Sequence, residues 1–182
     1  MTEAERRTPR ADATRNRDQL LAVATSMFVS ADAEPSMRAI AREAGVGIAT
    51  LYRNFPTRRD LLEAVYISEI EELLQAARDA AEREPWEAFE IWLRRFSSYV
   101  ATKLAMLQAL NKDSEMFRVC RSAMYEAANP LFARAREAGE IRDDVQLDDV
   151  LRMVSGVTAG HYDDDAQRER VFTLALDAVR AR

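Results

Sequence analysis

The sequence predicts an all-α protein of about nine helices, and three observations support this fold class. Apolar residues recur every three or four positions along most of the 182-residue chain, which is the spacing of one buried helix face. The glycines and prolines, five of each, fall mostly at the breaks between these periodic segments. No segment shows the alternation of apolar and polar residues that predicts a strand. A chain of this length can bury a sizeable core, as one large or two small domains.

The amino-terminal region predicts a tail followed by a first helix. Residues 1–14 are polar, carry Arg6, Arg7 and Arg10, and are expected to form a disordered basic arm. Such an arm either contacts phosphate or a minor groove of DNA, or is a solvated tail without a role. The first helix is predicted over residues 15–29, and its buried side chains are Leu20, Val23, Ala24, Met27 and Phe28.

Residues 36–61 predict two very short helices around a tight turn, followed by the start of a third helix. Pro35 and Pro56 bracket the pair, and Gly45 lies in the turn, where a residue able to adopt positive φ is needed. Ser36 is expected to cap the first short helix, because its hydroxyl can accept a hydrogen bond from the first turn. This layout is typical of a helix-turn-helix, whose second helix lies in the major groove of DNA.

The second short helix is predicted over about residues 47–54, with Leu51 and Phe55 facing the core. Thr57 and Asp60 are expected to form a capping box that starts the third helix. Arginines in the first turn of a helix are expected to bind phosphate, and an outward isoleucine could contact a thymine methyl group. The candidate DNA-binding residues are Ser36, Met37, Arg38, Gly47, Ile48, Ala49, Thr50, Tyr52, Arg53 and Arg58.

The run from Ala41 to Leu61 resembles the DNA-binding domain of TetR-type transcriptional repressors. The resemblance covers roughly residues 15–62, and the upstream positions that also match are Leu21, Ala24, Phe28 and Ile40. The chain departs from the family at Gly47 and Ile48, where the family commonly has polar residues. The resemblance implies a homodimeric repressor of transcription that a small-molecule effector releases from a palindromic operator in double-stranded DNA.

The resemblance also divides the chain into two domains. Residues 15–60 form the helix-turn-helix domain, and residues 61–182 form a helical domain for ligand binding and dimerisation. A long helix predicted over 58–82 joins the two domains. Asn129 and Pro130 are expected to start a separate short helix, since asparagine suits a cap and proline suits the first helical position.

Aromatic and methionine side chains recur at helical spacing through the second domain. They either line a ligand cavity or form plain core, and the spacing is compatible with both. The family resemblance favours a cavity somewhere between residues 85 and 162. The candidate pocket residues are Phe89, Trp92, Phe96, Tyr99, Leu107, Met116, Phe117, Cys120, Met124, Tyr125, Met153 and His161.

The last two helices carry aliphatic stripes, which predict an interface shared by two copies of the chain as a four-helix bundle. Gly156 and Gly160 lie four positions apart. They either let a partner helix approach closely or leave a gap over a ligand. The candidate interface residues are Leu147, Val150, Leu151, Val154, Val157, Val171, Phe172, Ala175 and Val179.

The charge distribution fits a protein that contacts DNA with one end only. The net charge is −5, but residues 1–60 hold ten arginines and eight acidic residues, whereas residues 61–182 hold 16 basic and 23 acidic residues. The single cysteine, Cys120, excludes an internal disulfide and fits a reducing cytoplasm. No run approaches the roughly 18 apolar residues that span a bilayer, so no membrane partner is expected.

We predict no catalytic residues, no cofactor and no metal. The sequence lacks a glycine-rich phosphate loop and a nucleophile in a recognisable setting. His161 precedes three acidic residues but has no second histidine to complete a metal site, and Asp164 is expected to cap the last helix instead. Cys120 lies on an apolar stripe, which favours a buried thiol over a redox sensor. A helical protein–protein adaptor and a small helical enzyme remain the competing classes.

Overall fold

A computed structural model describes residues 9–30, 35–106 and 114–181, and it confirms the all-α fold class. Within these ranges an isolated antiparallel bridge joins Ile141 to Arg180. No helix in the described ranges combines the length and apolar character needed to pass through a membrane. The described residues form eight helices, which are α1 (Pro9–Ser30), α2 (Met37–Glu43), α3 (Ile48–Asn54), α4 (Arg58–Ala80), α5 (Pro85–Met106), α6 (Glu115–Glu137), α7 (Leu147–Thr158) and α8 (Asp165–Val179).

The chain forms two compact units, which divide α4 between Ser68 and Glu69 and α5 between Leu104 and Ala105. The first unit contains α1, α2, α3 and the start of α4, and the second contains the rest of α4, most of α5, and α6 to α8. The buried side chains of the first unit include Leu20, Ala24, Phe28, Ile40, Leu51, Phe55, Leu61 and Val65. Since every helix of this unit contributes to that core, α2 and α3 are held in fixed positions.

Helix α1 begins at Pro9, six residues before the predicted start at residue 15. The expectation of a disordered arm is therefore wrong for residues 9–14, and residues 1–8 lie outside the described ranges. Proline suits the first position of a helix, because its missing N–H has no helical partner there in any case. A polar stretch can extend a helix that is stabilised by its buried face, which includes Leu20, Ala24 and Phe28.

Helix α6 is continuous through Pro130, so the predicted break at Asn129 and Pro130 is wrong. This continuity accounts for eight described helices in place of the predicted nine. Proline has no N–H and leaves the carbonyl of Glu126 without its usual helical donor. The buried stripe nevertheless continues at helical spacing across the proline, through Phe117, Cys120, Met124, Ala128, Leu131 and Ala135. Burial of that stripe outweighs the local preference of proline for a helix start.

Replacing Pro130 with alanine should raise the free energy of unfolding by about 1–3 kcal/mol, because proline is strongly disfavoured inside a helix. Pro130 is exposed, so little packing is lost with its ring. Urea denaturation followed by circular dichroism measures the change. The matched control is Asn129→Ala, at the exposed neighbouring position, for which we expect a gain of a few tenths of a kcal/mol. A less stable Pro130→Ala variant would show that α6 needs the proline.

In the second unit an ion pair joins α4 to α5. The guanidinium of Arg95 binds Glu69 at 3.1 Å and Glu72 at 2.9 Å. Glu69 is buried, and this burial raises the pKa of its carboxyl group although Arg95 acts in the opposite direction. Loss of Arg95 would leave the buried Glu69 carboxylate without its countercharge, which is strongly disfavoured. The pair therefore fixes how α4 lies against α5.

Candidate DNA-binding surface

The turn between α2 and α3 has the geometry that the sequence predicts. The Ser36 hydroxyl oxygen accepts a hydrogen bond from the Ala39 N–H at 3.1 Å. Gly45 has φ +65°, in the left-handed region, and its N–H donates to the Arg42 carbonyl at 3.1 Å. The next N–H, from Val46, donates to the Ala41 carbonyl at 3.0 Å. These two bonds form a Schellman motif, which ends α2 and redirects the chain into α3.

Helix α3 is held at its middle and at its carboxyl end. Leu51 and Phe55 are buried in the first unit, and the guanidinium of Arg17 lies over the Phe55 ring at 5.6 Å from its centre. The predicted capping box forms after α3, where the Thr57 N–H donates to an Asp60 carboxylate oxygen at 2.8 Å and the Asp60 N–H donates to the Thr57 hydroxyl oxygen at 3.2 Å. The short helix is thus a rigid element.

The outer face of α3 is open to solvent. Ile48 is 37% exposed and Tyr52 is 48% exposed, so two large side chains of this seven-residue helix face solvent. Gly47, Ala49 and Arg53 are also exposed, and Thr50 is half-buried beside them. We call the residues Gly47, Ile48, Ala49, Tyr52 and Arg53 the outer face of α3. It combines apolar contact area with one long cationic side chain.

The candidate residues near the start of α2 differ in whether their side chains are available to bind DNA. The Ser36 side chain already caps α2, and Met37 is half-buried. Arg38 is exposed in the first turn of α2. Arg38 is therefore the side chain of this group that is best placed to bind a phosphate.

The sequence predicts that Arg58 binds phosphate, but in the structure its guanidinium contacts other residues of the protein. One of its guanidinium nitrogens donates to the Pro35 carbonyl at 2.5 Å, and the group lies over the Phe28 ring at 5.4 Å from its centre. Both partners belong to the same unit as Arg58. This arrangement gives Arg58 a structural role, since it connects α4 to the start of α2 and to α1.

Replacing Arg58 with alanine should lower the free energy of unfolding by about 1–3 kcal/mol, through loss of a charged hydrogen bond and a cation–π contact. Thermal unfolding without DNA measures this effect. The control is Arg59→Ala, since the neighbouring Arg59 makes an exposed pair with Glu63 at 2.7 Å and should change stability by about 0.5 kcal/mol or less. Equal melting temperatures for both variants would rule out the structural role of Arg58.

Comparisons with known proteins agree with this geometry. A family model described as "Bacterial regulatory proteins, tetR family" matches residues 20–65, which include α2 and α3. A second model, "Transcriptional regulator SbtR-like, C-terminal domain", matches residues 84–181, more than half of the chain. The chain belongs to the TetR family of bacterial transcriptional regulators. It is therefore a DNA-binding transcription factor and not an enzyme, in a family whose members bind DNA operators and dimerise.

Solved structures support the same assignment for this TetR-family regulator. The TetR transcriptional regulator SCO0520 from Streptomyces coelicolor is 38% identical and has a TM-score of 0.76, with 90% of this chain and 98% of that chain covered. A TetR regulatory protein from Mycobacterium vanbaalenii is 29% identical with a TM-score of 0.71, and the match covers 96% of this chain and 100% of that one. An HTH-type transcriptional regulator of Staphylococcus aureus strain USA300 is 27% identical over 64% of this chain, which spans 65% of that relative's length.

In the second unit of this TetR-family regulator, the predicted aromatic pocket residues pack against one another. Trp92 stacks on Phe96 with ring centres 5.5 Å apart, and Phe89 meets Phe132 edge-on at the same distance. The Trp92 indole N–H donates to the Leu73 carbonyl at 3.2 Å. This packing favours the plain-core alternative for Phe89, Trp92, Phe96 and Tyr99, which are at most 3% exposed. Leu107 lies outside the described ranges.

The other predicted pocket residues lie in different surroundings. Burial, together with the negative charge of Glu71, raises the pKa of the Cys120 thiol, which favours the protonated and less nucleophilic form. The Tyr125 hydroxyl donates to Asp148 at 2.5 Å and joins α6 to α7. His161 is exposed in the loop before α8. Phe117 and Met124 belong to the buried stripe of α6, and Met116 and Met153 are half-buried.

A groove of about 470 Å³ lies elsewhere in the second unit, between α4 and α6. Its walls include Leu74, Ala77, Ala123, Ala127 and Pro130. Sequence reasoning missed these residues, because small side chains at helical spacing look like ordinary surface or core. The groove ends at Arg134, whose guanidinium donates to backbone carbonyls of Ala81 and Arg83 just after α4.

The predicted dimer interface needs a correction. Leu147, Val150, Leu151, Val154, Phe172 and Val179 are all buried within one chain, because these stripes hold α7 and α8 in the core of the second unit. A partner cannot reach them. Three predicted residues, Val157, Val171 and Ala175, are half-exposed. On the same two helices Gly156, Leu174 and Ala178 are exposed, and Leu174 is 67% exposed.

The two glycines of α7 and the following turn have separate roles. A Cβ atom on Gly156 would meet no atom within 4 Å, so open space lies beside this position. A Cβ atom on Gly160 would lie 2.6 Å from the Tyr162 hydroxyl, which itself donates to the Val157 carbonyl at 2.5 Å. Gly160 thus accommodates Tyr162, and only Gly156 is free to admit a partner helix. The predicted cap of α8 is confirmed, since Asp164 accepts from the Gln167 N–H at 2.6 Å.

Proposed function

We propose that this protein is a repressor whose outer face of α3 enters the major groove of a DNA operator. The observation that carries the proposal is a rigid, seven-residue helix with its inner side chains buried and with Ile48, Tyr52 and Arg53 exposed. A helix presented in this way fits the major groove. Residues 35–60 also hold five arginines against two acidic residues, a charge balance that favours phosphate binding.

Within this proposal the candidate residues divide into two roles. Gly47, Ile48, Ala49, Thr50, Tyr52 and Arg53 lie at base edges or beside them, where Ile48 suits a thymine methyl group. Ser36, Met37 and Arg38 lie at the sugar-phosphate backbone, with Arg38 as the phosphate ligand. The protein works in the cytoplasm, where it has access to the chromosome.

We further propose that two copies bind two half-sites of a pseudo-palindrome. The half-sites are then about one helical turn apart or a little more. The subunit interface is an exposed, largely apolar face on the last two helices, and it replaces the interface predicted from their stripes. It consists of Gly156 and Val157 of α7 and of Val171, Leu174, Ala175 and Ala178 of α8, and we call it the α7–α8 face. Small residues on this face let two helices pack closely.

A small-molecule effector releases the operator when it binds the DNA-incompetent state more tightly. The groove between α4 and α6 suits this role, because its volume of about 470 Å³ lies in the range of ligand sites and because α4 continues into the first unit. A coupling of about 1–3 kcal/mol would weaken operator binding about 5- to 150-fold. The substitution Ala127→Trp should fill the groove. We expect this variant to bind the operator as the unchanged protein does, and the effector should no longer release it.

Selection of genomic DNA fragments by the purified protein tests the proposal. We expect a short palindrome to be enriched, with the enrichment lost in the double variant Ile48→Glu, Arg53→Glu, whose exposed substitutions leave the core unchanged. Recovery of no enriched sequence by a folded, dimeric protein would contradict operator binding and would favour the adaptor.

A further inference from the structure

The outer face of α3 carries one side chain that is already oriented by a neighbour. A guanidinium nitrogen of Arg53 donates to the Thr50 hydroxyl oxygen at 2.8 Å. Among the described residues Arg53 makes no ion pair, and α3 contains no acidic residue. Four of the five guanidinium N–H groups therefore stay available for an external acceptor.

The bond to Thr50 also sets the direction of the Arg53 side chain. Arg53 is the sixth of the seven residues of α3, whereas helix-turn-helix proteins contact bases mainly with the amino-terminal part of this helix. Thr50 lies three positions earlier, so its hydroxyl bends the guanidinium back toward that end. Helical side chains lean in this direction in any case, and the bond adds a fixed point.

We propose that Arg53, held by Thr50, reads one guanine in each half-site of the operator. This inference rests on the proposed function and specifies which base the outer face of α3 selects. A guanidinium binds the O6 and N7 atoms of guanine with two parallel hydrogen bonds, the most common specific contact in the major groove. Thr50 is a positioning residue in this scheme, because it acts through Arg53.

Two features of α3 favour a base edge over a phosphate as the target of Arg53. Ala49 lies one turn before Arg53 on the same face, and its small side chain leaves room for a base edge to approach. Besides Arg53, α3 has one side chain that could bind a base through two parallel hydrogen bonds, that of Asn54. The Asn54 NH2 group already donates to the Thr50 carbonyl at 2.8 Å. Asn54 is half-buried, which leaves Arg53 as the forked donor on the outer face of α3.

The test measures binding to an operator library in which each base pair of one half-site is varied in turn. For the unchanged protein, replacement of one G·C pair should weaken binding about 5- to 150-fold, the range of a bidentate contact. Arg53→Ala and Arg53→Lys should both lose this preference, since a lysine keeps the charge but not the fork. Thr50→Val should reduce the preference at the same base pair, and Thr50→Ser, which keeps the hydroxyl, should restore it.

Two results overturn the inference while operator binding stands. One is an Arg53→Lys variant that binds every library member as the unchanged protein does. The other is an Arg53→Ala variant that weakens binding equally at all positions with a shallower salt dependence, which identifies a phosphate contact. Failure of the unchanged protein to prefer any sequence would instead contradict the proposed function. Thermal unfolding of each variant, including those at the half-buried Thr50, tests whether the substitution leaves the fold intact.

Discussion

Replacing Leu174 with glutamate should convert the homodimer to a monomer and weaken operator binding at least a hundredfold. Leu174, on α8, is 67% exposed and is the most exposed large apolar side chain of the α7–α8 face. A carboxylate there would be buried against the partner without a compensating charge, which strongly disfavours association. Each helix-turn-helix domain would then bind its half-site alone. The gain in affinity from linking two binding domains, about 10²- to 10⁴-fold, would be lost. Sedimentation at micromolar concentration and operator titration measure the two effects.

The matched control for this prediction is Val119→Glu. Val119 is 57% exposed, so the substitution adds the same charge at another open aliphatic position, on α6. We expect Val119→Glu to remain dimeric and to bind the operator normally. A Leu174→Glu variant that sediments as a dimer, or dissociation of both variants alike, would show that the interface lies elsewhere. The unfolding midpoint of a monomeric Leu174→Glu variant must be compared at equal protein concentration, because dimerisation itself raises stability.

Replacing Leu51 with alanine should lower the free energy of unfolding of the first unit by about 2–5 kcal/mol and abolish operator binding at 37 °C. Leu51 is fully buried and anchors the middle of α3. A unit of this size has a stability of only a few kcal/mol, so a cavity under α3 releases the short helix from the core. Urea denaturation and operator titration at 15 °C and 37 °C measure the loss.

Tyr52→Ala separates the two contributions of this helix. Tyr52 follows Leu51 in the chain but is 48% exposed, so we expect weaker operator binding with a much smaller change in stability. If Leu51→Ala and Tyr52→Ala destabilise the unit equally, or if Leu51→Ala binds the operator normally at 37 °C, α3 is not positioned by its buried side. The outer face of α3 would then not be held in place for DNA binding by its buried side chains.

The helix-turn-helix was predictable because its determinants are local. The Ser36 cap, the turn at the left-handed Gly45 and the Thr57–Asp60 box each involve residues within five positions of one another. Hydrogen bonds over so short a distance are specified by residue type and spacing alone. The same local reasoning failed at Pro130, where the burial of a long stripe on α6 outweighs the turn preference.

Features that depend on distant contacts could not be read from the sequence. The sequence places Arg58 at the start of a helix. Its hydrogen bond to the Pro35 carbonyl and its cation–π contact with Phe28 join it to residues 23 and 30 positions earlier in the chain. The stripes of α7 and α8 predict a buried face correctly, yet spacing does not say whether their own chain or a partner covers it. The groove between α4 and α6 likewise appears only when two helices lie side by side.

The most direct test of the central claim, that the outer face of α3 lies in the major groove, is cleavage of operator DNA from a chelate attached at residue 49. The sole cysteine, Cys120, is first replaced by alanine, and Ala49→Cys then provides a single attachment point for an iron chelate on the exposed helix. We predict strand cuts in two clusters, one in each half-site, about one helical turn apart or a little more. A chelate at Val119→Cys should cut no site. Absence of cuts from residue 49 on fully bound operator, or equal cutting from residue 119, would contradict the account.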